Sequence, residues 1–330
     1  GTWGKGGVLA IAGDDHACKS STLPSQSEFT FMDLEIPILS PSGIQEVLNY
    51  GLIGWALSRF AGTWVSMIAL AETMDASATV DVAPGRLQIR NPRDVAVPPG
   101  GFGLRIGDTP QDREPRRREF RIPAVRAFSR ENVLNRVVLD SPNARVGIVA
   151  CGKSYADLRQ AFVDLGLGNK EIARLGLRVF KVGMPWPMDY EPVRRFAEGL
   201  ETIIVIEEKR DFIETQIRSA IYDLPDARRP RVEGKFDHEG KPLLRAILDL
   251  NPAMIGHALA RFIPKSQWPA QMTAALALTE RKVAETEAMT QILERQPYYC
   301  SGCPHNTSTK VPEGSRALAG IGCHYMVTWM

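Results

Sequence analysis

Three of the five cysteines of this 330-residue chain lie close together near its C-terminal end. Cys300 and Cys303 are separated by two residues, one of which is Gly302, and Cys323 follows after nineteen further residues. Two thiolates three positions apart on a tight turn can face one metal ion or cluster, and a glycine between them lets the backbone curl. The first chemistry that the sequence indicates is therefore a thiolate site for a metal or an iron–sulfur cluster.

Three kinds of site are compatible with this spacing. A redox pair of the thioredoxin type has cysteines that open a helix after a strand, whereas Pro304 follows Cys303 here and no strand is predicted before Cys300. A structural zinc ion could be held by the three cysteines together with His305 or His324. An iron–sulfur cluster could take the three cysteines and a fourth cysteine from beyond Met330. The spacing by itself leaves zinc and the cluster open.

A second group of chemically capable residues lies in the polar loop GDDHACKSSTLPSQSE, residues 13–28. Asp14, Asp15 and His16 are potential metal ligands, and Lys19, Ser20 and Ser21 could contact an anion. A loop of this composition is also typical of an ordinary solvated turn. The loop follows an apolar run, and ligands in open α/β sheets bind where the strands end. Residue types alone do not decide between a binding loop and a turn.

Composition and charge exclude several classes of protein. Hydrophobic residues make up 44% of the chain and charged residues 24%, which is typical of globular proteins and not of collagen-like or disordered chains. The net charge of +2 gives no overall field for nucleic acid or an anionic membrane. We find no apolar run of the roughly 18 residues that a spanning helix needs. Five cysteines are an odd number over a long sequence, and Cys18 and Cys151 are isolated, which fits a reducing compartment, so we expect a cytoplasmic protein.

The elements that must position these residues follow an α/β pattern in the first part of the chain. Apolar runs at residues 7–12 and 36–39 predict strands, and residues 63–70 predict a strand or a buried helix. Ser42, with Gln45 three residues later, predicts a capping box that opens a helix over residues 43–60. Its apolar positions recur at helical spacing, namely Ile44, Val47, Leu48, Leu52, Trp55 and Ala56.

The middle of the chain is rich in proline, glycine and arginine. Residues 83–127 contain the stretch DREPRRREFRIPAVR, with six arginines. A basic stretch can bind phosphate or RNA, but apart from Phe120 no aromatic side chains are interleaved for base stacking. We therefore expect a connector whose arginines form a solvated face.

From residue 145 the pattern becomes regular, with three predicted strands that each precede a helix. The strands are in RVGIVACG, LRVFKVGMPWP and TIIVIEEKR, and the helices cover about residues 154–165, 190–198 and 211–222. Such alternation predicts βαβ units and a parallel sheet. We expect Glu207 and Glu208, after the third strand, to be acids at the start of a helix. A long amphipathic helix ending near Arg295 precedes the cysteines.

The motifs resemble those of a known family. YYCSGCPH, residues 298–305, is similar to the cysteine turn of the 2-oxoacid:ferredoxin oxidoreductases, most closely the indolepyruvate type. The polar loop with IPILSPSGIQEVL resembles the second half of their thiamine pyrimidine-binding domain. The stretch VGIVACGKSYADLRQAF with its two following strands resembles their transketolase C-terminal-like domain. The resemblance covers nearly the whole chain except the connector and follows the domain order of the family.

The resemblance implies an α/β fold of two Rossmann-like, three-layer thiamine-fold domains and the start of a third. The implied division is a partial pyrimidine-binding domain at 1–84, a connector at 85–144, a transketolase C-terminal-like domain at 145–262, a linker and helix at 263–297, and the start of a diphosphate-binding domain at 298–330. The expected function is oxidative decarboxylation of an aryl 2-oxoacid such as indolepyruvate to an acyl-coenzyme A, with electrons passing to ferredoxin.

The resemblance also implies cofactors, partners and site residues. The cofactors are thiamine diphosphate with Mg²⁺ and a 4Fe-4S cluster, coenzyme A is a co-substrate, and the partners are ferredoxin and further domains or subunits in an oligomer. The implied cluster ligands are Cys300, Cys303 and Cys323. Residues expected near a cofactor are Ser20, Ser21 and Gln26 of the polar loop, and Gly302 and His305 of the cysteine turn.

The chain departs from the full pattern of the family in one respect. A diphosphate-binding domain holds Mg²⁺ with a GDG motif, and the sequence contains no GDG; the nearest string, GDD at Gly13, lies in a different implied domain. The glutamate that activates the aminopyrimidine is expected before Gly1. We therefore expect an interior fragment that is inactive alone, with catalytic residues outside it.

Overall fold

The computed structural model describes residues 2, 6–19, 21, 23–288, 298–316, 318, 320 and 322–328. The strands in this part of the chain form two sheets. They are β1 (Leu9–Asp14), β2 (Ile38–Leu39), β3 (Val65–Leu70), β4 (Asn135–Leu139), β5 (Val146–Cys151), β6 (Leu177–Val182), β7 (Thr202–Ile206) and β8 (Arg231–Glu233). The first sheet has the order β1-β3-β2 and the second β4-β6-β5-β7-β8.

Parallel pairing dominates both sheets, and the sequence predicts it for the second. Every pairing is parallel except that of β4, which runs antiparallel to β6 at one edge. All residues of β3 and β7 are buried, because layers on both faces of a parallel sheet remove the alternation of an exposed sheet. The predicted α/β class is confirmed, and residues 65–70 form a strand rather than a helix.

Helices connect and cover the strands. In the first unit they are α1 (Glu28–Asp33), α2 (Ile44–Ala61) and α3 (Ala71–Met74); the connector holds α4 (Pro110–Pro115), a π-helix (Arg116–Arg121) and α5 (Ile122–Glu131). The second unit has α6 (Gly152–Asp164), α7 (Asn169–Arg174), α8 (Tyr190–Ala197), α9 (Phe212–Ile221), α10 (Pro252–Ala260) and α11 (Ala270–Ala288), and α12 (His305–Ser308) follows the cysteines. The three helices predicted after β5, β6 and β7 are confirmed. The predicted end of the long helix near Arg295 lies outside the described residues.

The predicted capping box of α2 is wrong. The helix begins after Gly43, which provides no side-chain cap, and Ser42 lies one residue outside. The Ser42 amide and hydroxyl donate to Glu46 Oε2 at 2.9 and 2.8 Å, and Glu46 also pairs with Lys181 of β6. Glu46, which is paired with Lys181 of the second sheet, therefore binds Ser42 at the start of this helix. Gln45 was the predicted partner of Ser42.

The buried face of α2 also differs from the predicted one. Its interior side chains include Ile53 and Leu57, whereas Leu48, Leu52 and Trp55 are exposed. Helical spacing alone does not distinguish two neighbouring apolar stripes, and contact with the first sheet selects the one that is buried.

The arginine-rich connector is not the solvated face that the sequence predicts. Arg116 and Arg121 are buried on the π-helix. Arg121 donates to the carbonyl oxygens of Phe102 and Gly103 at 2.8 and 3.2 Å, and Arg116 donates to that of Gly101 at 2.7 Å. The connector backbone makes few hydrogen bonds of its own in this stretch, so the guanidinium groups satisfy its carbonyls and fix its path.

The two units share hydrophobic cores. Ile38 and Leu70 of the first sheet belong to the same buried cluster as Phe180 of the second. Backbone hydrogen bonds continue across this junction, from Ser40 N to Gly183 O at 2.9 Å and from Ile38 N to Trp186 O at 2.8 Å. The ends of strands from both sheets are thereby held next to one another. Within the described residues, no helix is long and apolar enough to cross a membrane.

Replacing Arg121 with alanine should lower the free energy of unfolding by about 1–3 kcal/mol, because two buried carbonyls lose their donors. Arg118→Ala on the same π-helix is the matched control, since the Arg118 side chain is 61% exposed and its ion pairs contribute little. Urea unfolding measures both variants. If both variants lost the same free energy of unfolding, the hydrogen bonds of Arg121 to the two carbonyls would not stabilise the connector.

Candidate functional site

The carboxyl ends of strands from both sheets converge on a small cavity of about 30 Å³. Leu70 ends β3, Cys151 ends β5, and Glu207 follows β7 directly. Ligands of α/β proteins bind at this end of the strands. The remaining polar side chains that line the cavity are His16, Gln26, Glu28, Ser40, Lys153 and Glu208.

A buried ion pair between Lys153 and Glu208 lies at the centre of this site. Lys153 Nζ lies 3.2 Å from Glu208 Oε1, 2.6 Å from Asp157 Oδ2 and 2.7 Å from the carbonyl oxygen of Leu250. The other Glu208 oxygen accepts from the Leu250 amide at 2.9 Å. These contacts join α6, the segment after β7 and the segment before α10.

Lys153 remains charged in this setting. Burial disfavours the ammonium, but attraction to Glu208 and Asp157 outweighs it, so the pKa of Lys153 is raised. The three acceptors around Nζ use all the hydrogen-bond capacity of an ammonium group. Lys153 is therefore an organising group with no donor left for a ligand.

Glu207 holds the start of α9. Its two carboxylate oxygens accept from the amides of Ile213 and Glu214 at 2.6 and 2.9 Å. This is the role at a helix N-terminus that the sequence predicts, although the same prediction for Glu208 is wrong because Lys153 binds that carboxylate. Burial raises the pKa of Glu207 to about 8, against the opposing effect of the two amides.

The polar loop (residues 13–28) packs against this site, and the carboxylates of Asp14 and Asp15 bind groups within the loop. Asp14 accepts from the Ser27 amide and hydroxyl at 2.9 and 2.7 Å. Asp15 accepts from the amides of Lys19 and Ser21, each at 2.9 Å. These contacts shape the loop in the manner of an Asx turn and do not present two carboxylates to a metal ion.

Three residues of the polar loop, Ser20, Ser21 and Gln26, were expected to contact a cofactor, and they do not all lie at the cavity. Gln26 lines the cavity and accepts from Arg210 Nε at 3.0 Å. Ser21 is half-buried, with its amide bound to Asp15. Ser20 lies outside the described residues. Of the three, the structure places Gln26 at the strand ends.

The cysteine turn (residues 298–305) is closed by a hydrogen bond from the Cys303 amide to the Cys300 carbonyl at 3.0 Å. Gly302 has φ of +74°, a conformation that an L side chain rarely adopts, and a Cβ there would meet open space. Glycine is thus required by the backbone and not by crowding. The turn holds two thiol-bearing residues at the protein surface.

His305, the last residue of the cysteine turn, lies against the helical turn over Gly322–Thr328. Its Nδ1 is 3.1 Å from Cys303 Sγ, its ring stacks on Tyr299, and the His324 ring meets its edge at a centroid distance of 4.6 Å. The donor types suit a thiolate-bound metal or cluster. Among the described residues, however, no three His, Cys, Asp or Glu side chains are close enough to hold a metal ion.

Two residues of the junction site were not among the predicted site residues. Glu28 ends the polar loop and Lys153 lies in the stretch VGIVACGKSYADLRQAF, and the structure brings both to the cavity. The available signal was positional, because Lys153 follows the end of a predicted strand.

Replacing Lys153 with alanine should lower the free energy of unfolding by about 3–5 kcal/mol, because Glu208 stays buried without its main counter-charge. Lys170→Ala, at an exposed position of α7, is the matched control and should change stability little. Thermal and urea unfolding measure the difference. A K153A protein as stable as K170A would show that the ion pair does not organise the junction.

Comparison with known proteins agrees with the resemblance stated above. Residues 136–288 match the family model described as the indolepyruvate oxidoreductase domain. The chain is 24% identical over 333 residues to indolepyruvate oxidoreductase subunit IorA of Pyrococcus abyssi, with 97% of this chain and 47% of that protein covered. The IorA subunit of Thermococcus kodakarensis is 25% identical over 338 residues, with the same coverage.

The chain spans about half the length of the curated relatives that it matches. Among solved structures, 2-oxoglutarate:ferredoxin oxidoreductase from Magnetococcus marinus is 15% identical, with 76% of this chain and 48% of that chain covered at a TM-score of 0.47. The match of residues 136–288 and the similarity to IorA subunits along 97% of the chain confirm the predicted resemblance to the indolepyruvate-type oxidoreductases.

Proposed function

We propose that the chain forms part of an oxidoreductase that converts an aryl 2-oxoacid, such as indolepyruvate, to an acyl-coenzyme A and passes the electrons to ferredoxin. The observation that carries this proposal is the similarity to IorA subunits along 97% of the chain, which includes the two sheets and the cysteine turn. The chain spans about half the length of those subunits, and on this proposal it acts together with further domains or subunits of the enzyme in an oligomer.

Thiamine diphosphate with Mg²⁺ supplies the chemistry of decarboxylation when it is bound in the complete enzyme. On this proposal the first sheet belongs to the pyrimidine-binding domain and the second to the transketolase C-terminal-like domain. Ser20, Ser21 and Gln26 of the polar loop, with Gly302 and His305 of the cysteine turn, are the residues of this chain near the cofactor. The absence of a GDG motif supports a diphosphate site completed by other residues.

Cys300, Cys303 and Cys323 are the proposed ligands of a 4Fe-4S cluster. The first two lie on one turn that Gly302 closes, which suits a pair of thiolates on a single cluster face. Cys323 is exposed on a separate helical turn over Gly322–Thr328, so it can serve as the third ligand only if that turn and the cysteine turn close together around the iron.

A zinc-stabilised module without redox activity is the second candidate. The observation that favours it is the contact of His305 with Cys303 and His324, since zinc in structural sites accepts both thiolate and imidazole ligands. On this alternative the metal would fix the segment after α11 and transfer no electrons.

Anaerobically purified protein should contain iron and acid-labile sulfide in about equal amounts, with a visible absorption band that dithionite bleaches. Cys300→Ser and Cys303→Ser should each abolish the band and reduce the iron content several-fold. Cys18→Ser, at a cysteine distant in sequence from the turn, is the matched control and should retain the wild-type spectrum. Colourless protein with one equivalent of zinc would overturn the cluster and favour the second candidate.

A further inference from the structure

The first sheet ends in a long strand that is paired on one side only. β1 binds β3 residue by residue along its whole length, without a register shift. In the order β1-β3-β2 it is the outermost strand. Among the described residues, no other segment binds the main chain of residues 9–13. Alternate residues of β1 therefore have N–H and C=O groups without a protein partner.

The other outermost strands of the two sheets carry features that protect an open edge. β4 has a register shift between Val137 and Leu139, and it also carries Arg136. β8 has only three residues, the first of which is Arg231, and β2 has only two. Irregular pairing, charged side chains and short length all hinder the addition of another strand. These three edges are therefore suited to contact with water.

β1 has none of these protective features. Its first five residues, LAIAG, include no charged residue and no proline, and Asp14 at its end is buried and accepts from Ser27. The side chain of Ile11, in the middle of the strand, is 56% exposed. A regular and uncharged edge favours pairing with another strand, and natural proteins rarely leave such an edge open to water.

Helix α2, which packs on the same sheet, presents a second apolar surface that is uncovered within the described part of the chain. Leu48, Leu52 and Trp55 are spaced four and three residues apart, so they lie on one helical face, and all three are exposed. This face begins beside β1, because a Cβ on Gly7, two residues before the strand, would lie 3.3 Å from Trp55 Nε1. The edge of β1 and this face of α2 are thus neighbouring parts of one surface.

We propose that a β-strand from a part of the enzyme outside this chain pairs with the open edge of β1, and that the helix joined to this strand covers Leu48, Leu52 and Trp55. Both pairings within the first sheet are parallel. A parallel strand is joined to its sheet by a crossover connection, which is usually a helix lying on one face. One strand–helix unit therefore covers both the edge and the helix face.

The length of the relatives favours this occupant over a second copy of the chain. The chain covers 47% of the IorA subunit of Pyrococcus abyssi, so more than half of such a protein is available to supply the strand. In a closed dimer of this chain, β1 would pair antiparallel with its copy, unlike both pairings present in the first sheet. Because the strand is assigned to the further domains or subunits of the enzyme, this pairing rests on the proposed function.

Hydrogen–deuterium exchange of this chain alone and of the complete enzyme tests the pairing. In the chain alone, alternate amides of β1 should exchange rapidly. In the complete enzyme, the peptide covering residues 9–13 should exchange about tenfold more slowly or slower still, because those amides are then hydrogen-bonded. The peptide covering β4 is the internal control, and its exchange should be the same in both forms.

Ile11→Lys should open the edge of β1 in the complete enzyme, because a lysine on an edge strand hinders pairing. The protection of residues 9–13 should then fall by about tenfold. Val137→Lys, at an exposed position of β4, is the matched control and should leave the protection of β1 unchanged. Should I11K not fold, the comparison of the two wild-type forms decides by itself.

Equal exchange of β1 in the chain alone and in the complete enzyme would overturn the pairing. Protection of β1 in a dimer of the chain alone, which sedimentation detects, would assign the edge to a second copy and overturn it as well. Exchange requires no substrate and no cluster, so the two proposals can fail separately. Protected β1 in an enzyme without the iron–sulfur spectrum would count against the proposed function, and unprotected β1 in an active enzyme against the strand pairing.

Discussion

The ion pair between Lys153 and Glu208 is the interaction on which the junction depends. Neither charge can be buried alone, because desolvation of an unpaired ammonium or carboxylate costs several kcal/mol. Once paired, they fix α6, the end of β7 and the segment at Leu250 relative to one another. The carboxyl ends of the second sheet thus form a rigid surface, and the first sheet packs its own strand ends against that surface.

The polar groups at this surface differ in how completely they are satisfied. Glu207 binds the amides at the start of α9 and Lys209 holds the polar loop by a main-chain oxygen, whereas Oε2 of Glu28 has no hydrogen-bond partner among the described residues. A fully satisfied network rigidifies a protein, and an unsatisfied group within it is a site of strain or regulation.

The cysteine turn obeys a different constraint. Its hydrogen bonds join neighbouring residues, and its shape depends on Gly302 in the left-handed conformation. Short-range geometry of this kind can be predicted from spacing, since two residues between cysteines and one glycine define the turn. The approach of His305 to Cys303 could not be distinguished in advance from that of His324, because the sequence places each histidine one or two residues from a cysteine.

By itself the sequence determined the strands β5, β6 and β7 with their helices, the parallel sheet, and the resemblance to the indolepyruvate oxidoreductases, because apolar runs and turn spacing act locally. Only the tertiary structure decided which face of α2 is buried, that Arg121 binds carbonyls instead of water, and that Glu28 and Cys151 line the same cavity. Those features depend on contacts between residues far apart in the chain, and the free energy of burying a charge or an apolar face is set by the partner it meets there.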